Sequence, residues 1–332
     1  MAMLMWLIAF GLFAAPFFRE QDRTDPEGAD SSIRSEDDRP FHEGVSAFEE
    51  SVEAGLGEAI TAASEEWLGV DSDLVWSGSL VDRRRLEPGR LAYEKHCVGC
   101  HGGTGDGAGA AAIHLDPRPR NFRHGVFKFT STETGGRPLR RDLFGTITRG
   151  LQGSSMPDFR LLSEELRWDI TEYVRYMAIR GEFEELMLDL AIDDEEIPDP
   201  EEVAEIVLEN WDPKTLKATY PAGPENDYDQ ASIDRGRALY NDTGAANCAT
   251  CHGETGIGDG PSAAGFKDAW GYPILPRDLT TGVFRAGSGP EDLYRSIATG
   301  VNGTPMTAFG ASLTPDQIWD LVHFVQSLST QN

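Results

Sequence analysis

Two five-residue runs constrain this chain more than anything else in it: Cys97-Val98-Gly99-Cys100-His101 and Cys248-Ala249-Thr250-Cys251-His252. Together they use all four cysteines of the 332 residues. Two residues between the cysteines put both sulfurs on about one turn of helix, with a histidine directly after the second. C-x-x-C-H is the run that attaches a haem covalently. Both sulfurs reach one edge of the porphyrin, and the adjacent imidazole is held beneath the ring to bind the iron. A redox dithiol does not need that histidine. A four-cysteine zinc site would have to bring both pairs to one metal. The motifs therefore point to two covalently bound haem c groups, held by Cys97, Cys100 and His101 and by Cys248, Cys251 and His252.

The second run belongs to an internal repeat. Gly89-Arg-Leu-Ala-Tyr93 answers Gly236-Arg-Ala-Leu-Tyr240, and Gly105-Asp106-Gly107 answers Gly258-Asp259-Gly260. Pro119-Arg120-Asn121-Phe122 answers Pro276-Arg277-Asp278-Leu279, and Trp168-Asp169-Ile170 answers Trp319-Asp320-Leu321. Ser155-Met156-Pro157-Asp158-Phe159 answers Pro305-Met306-Thr307-Ala308-Phe309. The chain is expected to hold two copies of one domain.

The matched methionines are informative because the chain has only seven. Met156 lies 55 residues after His101 and Met306 lies 54 after His252, each in a Gly/Ser/Thr/Pro-rich loop before an amphipathic helix. A thioether opposite the histidine completes the iron's ligand set and raises its potential. The plain alternative is a methionine that fills a gap in the core, and that is the expectation for Met177. The metal ligands expected are thus His101, Met156, His252 and Met306. His114 and His124 are the rivals in the first half. Arg120 and Arg277 each follow a proline, and a guanidinium fork suits a haem propionate; a surface arginine is the plain alternative. Trp270 and Tyr272, in a loop longer than its counterpart, are candidate propionate donors or simply packed side chains.

Both halves resemble class I cytochrome c domains: a leading helix, C-x-x-C-H, a long loop ending in methionine, and a closing helix. The resemblance covers residues ~85–182 and ~230–330 and implies an all-α fold of two tandem cytochrome c domains. The chain as a whole looks like a membrane-anchored dihaem cytochrome c. The expected organisation is an anchor helix at 1–18, an acidic tether with an amphipathic helix at 19–84, and a first domain at 85–182. A helical or irregular acidic linker at 183–229 and a second domain at 230–332 complete it.

Ala2–Phe18 is apolar and uncharged, at the short limit for a membrane span, and reads as an uncleaved signal anchor. Arg19–Glu43 is charged and apolar-poor, a tether. Val45, Phe48, Val52, Leu56 and Ile60 then recur at helical spacing. Their stripe is expected to pack on the first domain, or on a partner subunit. In the linker, Leu186, Leu190, Val203, Ile206 and Val207 predict short helices strapped across the domains. Thr314-Pro315-Asp316-Gln317 reads as a capping box and Ser163 as an N-cap.

A net charge of −27 argues against nucleic-acid binding. It suits a partner with a basic docking face, such as a carrier cytochrome or another respiratory-complex subunit; solubility is the plain alternative. A haem with both axial positions filled passes electrons rather than binding oxygen or peroxide. The expected function is electron transfer in a respiratory or photosynthetic chain, between a quinol-oxidising or molybdenum-enzyme complex and a terminal oxidase or soluble carrier. A dihaem peroxidase or thiosulfate-oxidising enzyme is the alternative. The family implies haem attachment outside the cytoplasmic membrane, hence globular domains on its periplasmic side.

Overall fold

The computed structural model describes residues 54–68, 80–194, 197–219, 221–222 and 227–330. The expected anchor at 1–18 and the tether as far as residue 53, with Val45, Phe48 and Val52, lie outside the described residues. Among those that are described, no helix is long and apolar enough to cross a membrane. They form helices and loops, with only the isolated bridges Thr132–Ala218 and Lys267–Pro273 in place of a sheet.

Each half is built on a crossing of the helix that leads into its C-x-x-C-H run and the helix that follows its methionine loop. In the first half, α2 (Arg83–His96) starts at Asp82, whose carboxylate accepts from the Arg84 N–H at 3.2 Å. It buries Leu86, Gly89, Ala92 and Tyr93, a three- and four-residue spacing that makes one face. That face meets α5 (Glu164–Asp194) along Ile170, Tyr173, Val174 and Met177. A β-carbon at Gly89 would collide with the Asp169 carbonyl oxygen, so only glycine lets the helices approach this closely. In the second half, α7 (Gln230–Asn241) crosses α10 (Pro315–Thr330) in the same way, with Gly236 against the Asp320 carbonyl. Both crossings are tied by charge: Arg85 to Asp169 at 2.6 Å and Arg235 to Asp320 at 2.8 Å. The expected capping box forms, Thr314 N–H to Gln317 Oε1 at 2.9 Å and Gln317 N–H to Thr314 Oγ1 at 3.3 Å.

One boundary differs from the sequence expectation. Helix α5 runs 31 residues, to Asp194, straight through the expected boundary at 182. Phe183 and Met187 are buried and continue the apolar face beneath an acidic surface, and no proline intervenes before Pro198. Gly181 sits where the Arg123 backbone crosses the helix, a packing role rather than a break. Glu182, nearly buried, accepts from Arg137 Nε at 2.7 Å, Asn210 Nδ2 at 2.9 Å and Trp211 Nε1 at 2.8 Å. That carboxylate pins α6 (Pro200–Trp211) to α5. Helix α1 (Ala54–Leu68) packs on α5 as well, burying Ile60 and Ala63 and donating from Ser64 Oγ to Glu184 at 2.8 Å. Its apolar stripe belongs to the first half. The linker beyond α6 touches both halves. Thr219 N–H donates to the Ser131 carbonyl at 2.6 Å, and the Ala222 carbonyl accepts from Trp319 Nε1 at 3.2 Å.

Replacing Gly89 or Gly236 with alanine is expected to cost about 1–3 kcal/mol through overpacking at the crossing. Each change should lower the thermal midpoint of the holoprotein. Gly57→Ala in α1, where a β-carbon meets nothing within 4 Å, should be neutral to stabilising by up to about 1 kcal/mol.

Candidate functional site

Each C-x-x-C-H run folds as a single helical turn: α3 (Val98–His101) and α8 (Ala249–His252). The turn closes because the histidine N–H returns to the first cysteine carbonyl, at 2.9 Å for His101 and 2.8 Å for His252. The next residue leaves with φ of 77° at Gly102 and 76° at Gly253, a conformation glycine adopts without strain. Tyr93 and Tyr240 from the leading helices donate to the Gly102 and Gly253 carbonyls, both at 2.8 Å and both buried. The sequence matched these tyrosines without a role; they fasten the haem-attachment turn to the helix crossing.

The histidines are oriented alike. His101 Nδ1–H donates to the Arg120 carbonyl at 3.1 Å, and His252 Nδ1–H to the Arg277 carbonyl at 3.0 Å. A carbonyl only accepts, so the proton sits on Nδ1 and the lone pair on Nε2, the arrangement of a metal-binding imidazole. Burial lowers the pKa of both, which keeps them neutral. Phe122 stacks on His101 with centroids 4.6 Å apart; buried Leu279 occupies the corresponding place in the second half.

These hydrogen bonds also reset one pairing of the repeat. Gly107 N–H reaches the His101 carbonyl and Gly258 N–H the His252 carbonyl, at 2.9 and 2.8 Å; Gly109 and Gly260 do the same to Cys100 and Cys251. Gly107 therefore corresponds to Gly258, two residues from the register read in the sequence. The two aspartates nevertheless play one part: Asp106 and Asp259 each lay a carboxylate oxygen against the glycine that ends the attachment turn, Gly102 or Gly253.

The two methionine loops are built from one hydrogen-bond set. Leu151 N–H donates to the Met156 carbonyl at 3.1 Å, and Val301 N–H to that of Met306 at 3.0 Å. The methionine N–H groups donate to Ser154 Oγ and Thr304 Oγ1, both at 3.2 Å. Phe159 and Phe309 close the loops on the Ile147 carbonyl of α4 (Arg140–Arg149) and the Ile297 carbonyl of α9 (Pro290–Thr299). Met156 and Met306 are both half-buried, whereas Met177 lies inside the first core at 5% exposure. Of the rival histidines, His114 is exposed, and His124 engages Glu185 through Nδ1 at 2.8 Å and Asn121 through Nε2 at 3.1 Å.

Cys97, Cys100, Cys248 and Cys251 are half-buried and not joined as disulfides. Burial pushes the Cys97 thiol up to about 12 and the Cys248 thiol up to about 11. A redox dithiol needs the opposite shift. Among the described residues no three His, Cys, Asp or Glu side chains gather around a metal position, so the two cysteine pairs do not share a zinc.

The two arginines lie at the junction between the halves. The Arg120 guanidinium stacks on Trp270, 3.3 Å from the ring centre, and Lys128 pairs with Asp268 at 3.0 Å. Arg118 lies over Tyr272, 5.8 Å from the ring centre. Asn302 accepts from Gly135 N–H at 3.0 Å and donates to Thr130 Oγ1 at 3.2 Å. Burial lowers the pKa values of Lys128 and Arg285, and that of Arg120 to about 9; neighbouring cations add to the lowering at Lys128 and Arg285, while Asp268 opposes it at Arg120 and Lys128. Trp270 Nε1 and Arg285 Nε are buried with no hydrogen-bond acceptor among the described residues. Donors and cations left in this condition suit haem propionates. With a neutral imidazole and two thiols in each half, the residues present fit haem c twice. Replacing Cys97 and Cys100 together with alanine is expected to reduce covalent haem from two to one per chain, measured by haemochrome absorbance and intact mass.

Residues 233–329 match the family model described as cytochrome c, and residues 84–174 that described as cytochrome C oxidase, cbb3-type, subunit III. The chain is 32% identical to a chain from the reducing HAO-like protein complex of Kuenenia stuttgartiensis. That likeness has a TM-score of 0.61 and covers 75% of this chain and 98% of the other. No curated protein matches the chain. With a cytochrome c half matched on each side of the linker and a relative that spans both, the protein belongs to the dihaem c-type cytochromes and carries two covalently bound haem c groups.

Proposed function

We propose that this chain is an electron-transfer subunit in which His101 with Met156, and His252 with Met306, are the axial ligand pairs of two haems acting in series. The observation that carries the proposal is the methionine loop, reproduced hydrogen bond for hydrogen bond in both halves although its side chains differ. Backbone geometry kept this closely around the same residue speaks for a role beyond core filling. Each haem c, when bound, supplies a one-electron iron couple. The chain's own residues do the rest. The Arg120 and Arg277 carbonyls hold the imidazoles in one tautomer, and the Met156 and Met306 thioethers would hold each iron opposite them and favour its reduced state.

With Met156 and Met306 proposed as the second ligands, the reading favours a relay over the peroxidase alternative, which needs an iron that can open. Thiosulfate chemistry through a cysteine ligand would need a fifth cysteine, and all four are in the attachment motifs. For partners, we propose a donor such as a quinol-oxidising or molybdenum-enzyme complex and an acceptor such as a terminal oxidase or soluble carrier. The likeness to a chain of a reducing HAO-like complex favours work inside a multi-protein oxidoreductase assembly. The charge of −27 favours a basic docking face on the partner. Placement on the outer side of the cytoplasmic membrane, tethered by Ala2–Phe18, completes the proposal.

The test is spectroscopic. The ferric protein should show the weak far-red band of sulfur-ligated haem at two-haem intensity, and the ferrous protein should be inert to carbon monoxide. Met156→Ala and Met306→Ala should each open one haem to carbon monoxide and lower one midpoint potential. Ready binding of carbon monoxide by the wild-type protein would replace the relay with a catalyst.

A further inference from the structure

The two arginines at the junction are exchanged. In each half, the residue whose carbonyl orients the proximal histidine is an arginine, and in each half its side chain points into the other. Arg120 belongs to the first half and lays its guanidinium on Trp270 of the second. Arg277 belongs to the second half. Its guanidinium lies 3.0 Å from where a β-carbon would stand on Gly153, inside the Met156 loop of the first, and its Nε donates to the Val283 carbonyl at 2.9 Å. Lys128 and Arg285 stand close enough to these groups for like charges to oppose one another, with the Asp268 carboxylate among them. In a chain whose net charge is −27, cations brought together between the halves are a built feature.

We propose that Arg120 and Arg277 are positioning residues shared by the two redox centres, each setting the proximal imidazole of its own half through its carbonyl and, through a guanidinium placed at the junction, the electrostatic potential at both haems. A nearby positive charge disfavours the ferric state, which carries one more positive charge than the ferrous. At the junction, where these cations are half-buried, that influence is screened less than on the open surface. Each guanidinium therefore holds up the potential of both haems. The proposal rests on the relay reading only in needing a haem in each half.

The experiment is a two-wave spectroelectrochemical titration of the full-length holoprotein, with haem content and the far-red ferric band followed in the same samples. Arg120→Gln should lower both midpoints, and Arg120→Lys, which keeps the charge, should leave both nearer the wild-type values. Arg277→Gln should also lower both, and it carries the test on its own if Arg120→Gln fails to load two haems. Movement of one midpoint alone, or of neither, with both haems and the far-red band intact, overturns the shared role and leaves the relay standing. A far-red band already missing from the wild-type protein would instead count against the axial methionines, while the paired shift of midpoints would still decide the shared role.

Discussion

One hydrogen bond, made twice, organises the chemistry of this protein: the imidazole Nδ1–H of the C-x-x-C-H histidine to the carbonyl of an arginine 19 residues on in the first half and 25 in the second. It selects the tautomer and aims Nε2, and it draws the Pro-Arg strand of the loop against the attachment turn. Much of the surrounding architecture keeps this bond in register. The buried tyrosine holds the end of the turn, and the glycine crossing holds the tyrosine's helix against the closing helix. An error at the crossing would reach the histidine through only two links, Tyr93 to Gly102 or Tyr240 to Gly253.

The halves share this frame and then diverge in how they are reinforced. The first carries extra helices, α1 and α6, packed on the extended part of α5, with Glu182 as a buried anion satisfied by an arginine, an asparagine and a tryptophan. Such a carboxylate is costly unless its partners are complete, and here they are. The second half lacks these additions and instead buries Ser232, Asp320 and His323 in its crossing, with Ser232 Oγ 2.6 Å from the Asp320 carboxylate and 2.7 Å from His323 Nδ1. This network accounts for His323 as a packing residue.

What could be read from the sequence follows the range of the interactions involved. The C-x-x-C-H turns, the capping box at Thr314 and the helix that carries Ile60 are local, and their residue spacing carries them. The end of the first closing helix was not legible because acidic residues on its exposed face resemble a linker, while Phe183 and Met187 continue the buried face underneath. The glycine register after His101 could be corrected only by seeing which N–H reaches which carbonyl. Trp270 stood out as an aromatic in a loop longer than its twin, but nothing in either half alone shows that Arg120 would stack on it. Contacts between repeats are set by docking, which a comparison of one repeat with the other cannot reveal.

The junction also explains how a strongly acidic chain can hold two redox centres without negative charge dominating both. Surface carboxylates are screened within about 8–10 Å at physiological ionic strength, so their pull on a buried iron is weak. The half-buried cations gathered at the junction act at shorter range and with less solvent between. The exterior is thus free to be acidic for encounter with a partner, while the interior potential is governed by Arg120, Lys128, Arg277 and Arg285. The same contacts, with Asn302 bonded to the 130–136 loop and the linker fastened to both halves, fix one half against the other. The spacing of the two haem-attachment turns is thereby set by packing rather than by the swing of a linker.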